Sequence, residues 1–137
     1  MKKLVLLIGL FWLLFAANYE TAIAQEKRLS STPKAFQTFY AKFRKAIIKG
    51  DKKTVASLTQ FPFKYGFDVG DEGTFSKTQF IKRFNDLFGG YKDLFAQKNP
   101  VFSSEAGTYY LTSDDATHFS FKKKGASYKF TAMIAEP

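Results

Sequence analysis

The chain has 137 residues, with 21 Lys and Arg against 12 Asp and Glu, for a net charge of +9. It has no cysteine and a single histidine, His118. Disulfides, thiol nucleophiles, Cys-ligated metals and a His-rich metal site are excluded, as is the acylated N-terminal cysteine of a bacterial lipoprotein.

The first 24 residues read as a secretory leader. Lys2 and Lys3 form a positive start, Leu4–Ala17 is an unbroken apolar run, and Ala22-Ile23-Ala24 offers small residues ahead of Gln25. The run is shorter than the ~20 residues a membrane span needs, so cleavage is expected rather than a lasting anchor, and no transmembrane segment in the mature chain. Loss of Lys2, Lys3 and Glu20 leaves 19 Lys and Arg against 11 Asp and Glu, net +8. Loss of Trp12 removes the only tryptophan, and 15 of the 17 phenylalanines remain to build a core. Small exported domains without disulfides fit a bacterial route better than a eukaryotic one. The expected address is the periplasm, with the extracellular medium second.

Residues 25–137 suffice for one domain with a single core. Gln25–Ser31 reads as a loose polar arm. Thr32 is placed as N-cap and Pro33 at the first helical position. Phe36, Phe39, Tyr40, Phe43 and Ile47 then form one apolar stripe at helical spacing, ended by Gly50. Asp51 caps a second, shorter helix that buries Val55, Ala56 and Leu58. In Gln60–Phe67 the period changes to two: Phe61, Phe63, Tyr65 and Phe67 alternate with Pro62, Lys64 and Gly66, as in a strand. Pro62 places that strand at an edge or itself among its first residues. Asp68–Gly73 reads as a turn or loop.

Ser76 and Gln79 make a capping box for a third helix, whose apolar face is Phe80, Ile81, Phe84, Leu87 and Phe88 and whose end is Gly89-Gly90. Tyr91–Asn99 is compatible with a further short helix. Three antiparallel strands follow at Thr108–Thr112, Ala116–Lys123 and Ser127–Ala135, with turns at Asp114-Asp115 and Lys124-Gly125. Thr117, Phe119 and Phe121 share one face of the second, opposite His118, Ser120 and Lys122. In the third, strict alternation puts Tyr128, Phe130, Ala132 and Ile134 together, opposite Lys129, Thr131 and Met133. Helices first and strands last argue for an α+β layer sandwich.

Phe39–Phe63, Phe75–Gly89 and the C-terminal strands resemble the NTF2-like (cystatin-like α+β) superfamily in its small exported bacterial form. The first block is similar to the family's long helix, Gly-Asp break and short helix leading to the first strand. The second is similar to the helix that packs across the curved sheet. The resemblance implies N-terminal helices on a curved, mainly antiparallel sheet, with a conical pocket between sheet and long helix. The region after Phe88 is short, so a smaller or less curved sheet and a smaller pocket are expected.

In the enzymes of that superfamily, such as ketosteroid isomerases, a carboxylate abstracts a proton while a tyrosine and a protonated acid hold the oxyanion in an apolar pocket. The nearest candidates here are Tyr65 and Asp68, although no position matches the catalytic pattern well enough for transfer. Asp68, Asp71 and Glu72 lack the alternating ligands of a calcium loop and fit a solvated turn. His118 has no evident partner and fits a surface position, and no nucleophile–base set can be assembled from it. No cofactor or metal motif is present. Lys122, Lys123 and Lys124, with Lys129 on the next strand, form the densest basic cluster. They are suited to blunting an exposed sheet edge, a routine structural use, and alternatively to holding an anion. The expectation is a non-catalytic binding module of the cell envelope, with a small isomerase or dehydratase as the alternative. The partners in view are a small apolar ligand in the pocket, an anionic envelope component, or a second copy through the sheet face. Nucleic acid is not expected at an exported address.

Overall fold

The computed structural model describes residues 25–136, so the proposed leader lies outside the described residues. The elements, in order, are β1 (Gln25–Arg28), a 3-10 turn (Leu29–Ser31), α1 (Lys34–Lys49), α2 (Lys52–Ser57), β2 (Thr59–Asp68) and β3 (Asp71–Phe75). They continue with α3 (Lys77–Lys82), α4 (Phe84–Phe88), α5 (Lys92–Ala96), β4 (Val101–Glu105), β5 (Thr108–Thr112), β6 (Thr117–Lys124) and β7 (Ser127–Ala135). The strands form one open seven-stranded sheet in the order β1-β4-β5-β6-β7-β2-β3. Every neighbouring pair is antiparallel except β2 and β7, which run parallel. The fold is α+β, and the sheet is larger than the short segment after Phe88 suggested. Among the described residues no helix is long and apolar enough to cross a membrane.

Helix α1 forms where the stripe predicts it. Phe36, Phe39, Tyr40, Phe43 and Ile47 are all buried. Gly50 ends the helix in the left-handed region, φ 71°, which glycine adopts without steric cost. The start is shifted. Pro33 is the N-cap, and Thr32 instead donates its hydroxyl to the carbonyl of Leu29 at 2.6 Å, closing the 3-10 turn. Asp51 caps α2, accepting from the Thr54 amide at 3.2 Å and the Thr54 hydroxyl at 2.6 Å. Ser76 and Gln79 form the reciprocal box that opens α3. The single helix expected over Phe80–Phe88 breaks at Arg83 into α3 and α4, with Phe80, Phe84, Leu87 and Phe88 all still buried.

Three strands replace segments read as irregular. The arm at Gln25–Arg28 pairs along β4, with Lys27 opposite Phe102, and the 3-10 turn is anchored by the Leu29 amide on the Pro100 carbonyl. Asp71–Phe75 pairs back on β2, shrinking the expected loop to Val69-Gly70, with Gly70 at φ 86°. Val101–Glu105 adds β4 beside β5, so the meander has four strands rather than three. Strand β2 is interior, between β7 and β3, and not an edge strand. Pro62 is tolerated there because it lies in the gap between the Thr59–Phe130 and Lys64–Ala132 pairs, where no ladder amide is needed.

The helices cover one face of the sheet. Phe36, Phe43, Phe63, Phe80, Phe95, Phe102, Phe119, Phe121 and Phe130 there expose none of their surface. Phe43 touches rings from two layers, with centroids 5.2 Å from Phe121, 5.1 Å from Phe130 and 5.9 Å from Phe95. Phe39, Phe43, Phe84 and Phe130 lie in this one cluster. The space between long helix and sheet, where a conical pocket was expected, is filled by aromatic side chains.

Strict alternation fails in β7. Ser120 of β6 pairs with Ala132 while Phe121 pairs with Phe130, so Thr131 is an extra residue, a β-bulge. Tyr128 and Phe130 before the bulge face the helices, and after it so does Met133, which is buried beside Phe119. Ala132 and Ile134 pass to the outer face, which corrects the expected grouping.

Candidate functional site

The outer face of the sheet carries an open groove of about 1110 Å³ across β3, β2, β7 and the end of β6. Its floor is Gly66 of β2 with Ala132 and Ile134 of β7, the last two brought to this face by the bulge. Gly66 leaves the Ile134 side chain close to the floor: a Cβ there would sit 3.4 Å from it, in van der Waals contact. One end is basic, with Lys64, Lys122 and Lys124 on the wall. The other end holds Asp68 and Glu72 beside the Val69-Gly70 turn.

The basic cluster read from the sequence is divided by the pleat. Lys122 and Lys129 are direct cross-strand neighbours, as are Lys124 and Ser127, whereas Lys123 pairs with Tyr128, a residue of the helix-side face. Lys129 donates from Nζ to the Ser57 carbonyl at 2.7 Å, tying the β6–β7 hairpin to the end of α2. Lys122 and Lys124 remain for the groove, joined by Lys64, which sequence reasoning did not select. Lys64 sits in an alternating strand as an ordinary solvent-side residue, and only its β2–β7 neighbours aim it at the same hollow. Among the described residues, none of these three lysines is in an ion pair or hydrogen-bonded through its ammonium.

Gln60, also missed, lines the same end. Its Oε1 is buried and has no hydrogen-bond partner in the protein. A buried acceptor without a partner carries a desolvation cost, about 1–3 kcal/mol, that a donor entering the groove would relieve.

Tyr65 and Asp68 are near one another in sequence but do not meet in an enclosed site. The Tyr65 ring stacks on Phe75 at 4.1 Å and Phe67 at 5.2 Å. Asp68 is exposed and accepts from the Val69 amide at 2.7 Å. Among the described residues the buried polar side chains are threonines and one serine, with no carboxylate. Of Asp68, Asp71 and Glu72, none belongs to a group spaced to hold a metal ion.

His118 is half-buried on the outer face and does have partners. Its Nδ1 lies 2.8 Å from the Thr112 hydroxyl, and its Nε2 faces the Glu136 carboxylate at 2.9 Å, out of line for a hydrogen bond. A separate polar cluster stabilises the β5–β6 turn. Tyr91 donates its hydroxyl to Asp115 at 2.9 Å, and the Ser113 hydroxyl and Thr117 amide also donate to that carboxylate. These hydrogen bonds, Ser113 foremost, hold the Asp115 carboxyl below its ordinary value. Burial raises the Tyr91 phenol. The cluster shapes a turn in which Ala116 takes φ 61°.

Comparison with protein-family models, with curated proteins and with solved structures finds no match for this chain.

Proposed function

We propose that this chain is an exported, non-catalytic binding module of the bacterial cell envelope, built on an NTF2-like frame, that holds an anion-bearing envelope component on the outer face of its sheet. One observation carries the reading. The helix side of the sheet is closed by aromatic rings, while the opposite side carries an open groove that holds three lysines in no ion pair against two carboxylates, Asp68 and Glu72. A groove of that kind attracts anions, and field lines focus in a hollow more than on a flat surface. The NTF2-like frame is supported by the succession of long helix, short helix, hairpin, helix and meander on one layered sheet. Export is supported by the leader-like pattern of residues 2–24.

The test has two parts. Protein recovered from the envelope fraction of its host should have the intact mass of a chain beginning at Gln25, and should show tyrosine-type fluorescence without tryptophan emission. Full-length chain confined to the membrane fraction would refute the export. Retention on anionic envelope material should fall steeply with added salt, because exposed charges are screened over about 8 Å at physiological ionic strength. If instead ketone or enol substrates are turned over, and turnover vanishes in Asp68→Asn, the isomerase-like alternative replaces the binding reading.

A further inference from the structure

The groove contains more than positive charge. Lys64, Lys122 and Lys124 stand at one end with Gln60, whose buried Oε1 lacks a donor, and with the half-buried hydroxyl-bearing Thr131. The floor is a small apolar strip of Gly66, Ala132 and Ile134. A ligand complementary to this set has anionic groups for the lysines, an O–H or N–H for Gln60, and a narrow apolar edge for the strip.

An anionic membrane surface fits poorly. The three exposed lysines wall a groove and do not form a flat basic surface. The apolar residue that does project, Val69 at 90% exposure, is flanked by Asp68, Asp71 and Glu72, which anionic headgroups repel. An extended acidic peptide fits less well than a sugar chain. The free backbone edge beside the groove is that of β3, whose Asp71 and Glu72 repel an acidic strand added to it.

We infer that the outer groove is the seat of an acidic saccharide chain: Lys64, Lys122 and Lys124 hold its carboxylate or phosphate groups, Gln60 accepts from a sugar hydroxyl, and the Gly66–Ala132–Ile134 strip receives the C–H edge of a ring. This rests on the envelope-binding reading and narrows its ligand. It also assigns Lys64 and Gln60 to the site and removes Lys123 and Lys129 from it.

The experiment titrates the purified chain with four probes: a galacturonate hexamer, a phosphorylated mannose hexamer, polyglutamate, and phosphatidylglycerol vesicles. At least one acidic saccharide should bind more tightly than polyglutamate and vesicles at physiological salt, and the saccharide that binds identifies the anion. The triple variant Lys64→Gln, Lys122→Gln, Lys124→Gln should lose about tenfold in affinity, as expected of several charge contacts. Lys123→Gln should change affinity less than twofold. A charge-matched triple on the helix, Lys34→Gln, Lys42→Gln, Lys45→Gln, should retain nearly full binding. Gln60→Leu should weaken saccharide binding about threefold or more, a loss that added salt does not abolish. Equal losses in the two triple variants would reduce the effect to net charge and overturn the assignment. Tighter binding of polyglutamate or vesicles, lost in the groove triple, would overturn the saccharide while leaving the binding module in place. No binding of any probe would remove both.

Discussion

The two faces of this sheet are made by the same strands, residue by residue, and they differ in almost every physical respect. Toward the helices, the rings of Phe63, Phe119, Phe121 and Phe130 pack against Phe36, Phe43, Phe80 and Phe88. Toward solvent, the intervening residues are Lys64, Ser120, Lys122 and Ala132, and no helix covers them. Stability therefore belongs to one face, and recognition, as proposed here, belongs to the other. A seven-stranded sheet covered on one side can separate the two because antiparallel pairing lets its second face meet water.

The largest effect expected from breaking this division is on the helix side. Phe43→Ala deletes a ring that touches both the sheet and α4–α5, and a buried Phe truncation costs about 3–5 kcal/mol, enough to unfold or nearly unfold a small domain. A urea midpoint equal to the parent's would contradict the packing described.

Inserting one alanine between Ala132 and Met133 is the next test, because it shifts the end of β7 by one residue in register. Met133 would turn to solvent and the new alanine inward, at a cost of about 1.5–3 kcal/mol for the exposed side chain. An unchanged midpoint would mean that β7 slips without penalty.

Titration probes the division more gently. The Asp51 carboxyl is held below its ordinary value of 3.8 by the hydrogen bonds from Thr54, and that of Asp115 is lowered chiefly by Ser113. A depressed carboxyl contributes stability above its unfolded pKa and loses it as pH falls through the folded one. The thermal midpoint should therefore decline below about pH 4, and the decline should be shallower in Asp51→Asn, Asp115→Asn. Tyr40 behaves oppositely. Its buried hydroxyl has no partner, and burial raises its pKa above the ordinary 10.0. Its neutral form is favoured in the fold, so it contributes loss of stability as pH rises past 10. Tyr40→Phe should leave stability at neutral pH equal or higher and flatten the alkaline slope.

The smallest effect is expected on the outer face. Changing Lys64, Lys122 and Lys124 together to Gln should shift the unfolding free energy by no more than about 0.5 kcal/mol, since all three are exposed and unpaired. A substantial loss would show that the groove lysines support the fold and would weaken the separation of roles.

Read from the residues alone, the chain yields its periodic elements with their caps: the Phe36–Ile47 stripe, Gly50, Asp51, the Ser76–Gln79 box, and the alternating strands β2, β5 and β6. Each depends on interactions within a few residues, so local spacing determines it. Strands β1 and β3 are not legible in this way. Gln25–Arg28 and Asp71–Phe75 are mostly polar and exposed, and they are strands only because a neighbour supplies backbone partners. The candidate site was half legible. Lys122 and Lys124 stand out as a charge run, while Lys64 and Gln60 lie about 60 positions away and join them only across the parallel β2–β7 pair and the bulge at Thr131. Sequence determines which segments have a buried face. Which side of the sheet a residue reaches, and which distant residues share a hollow with it, depends on register and strand order, and those are set by long-range pairing that no local pattern contains.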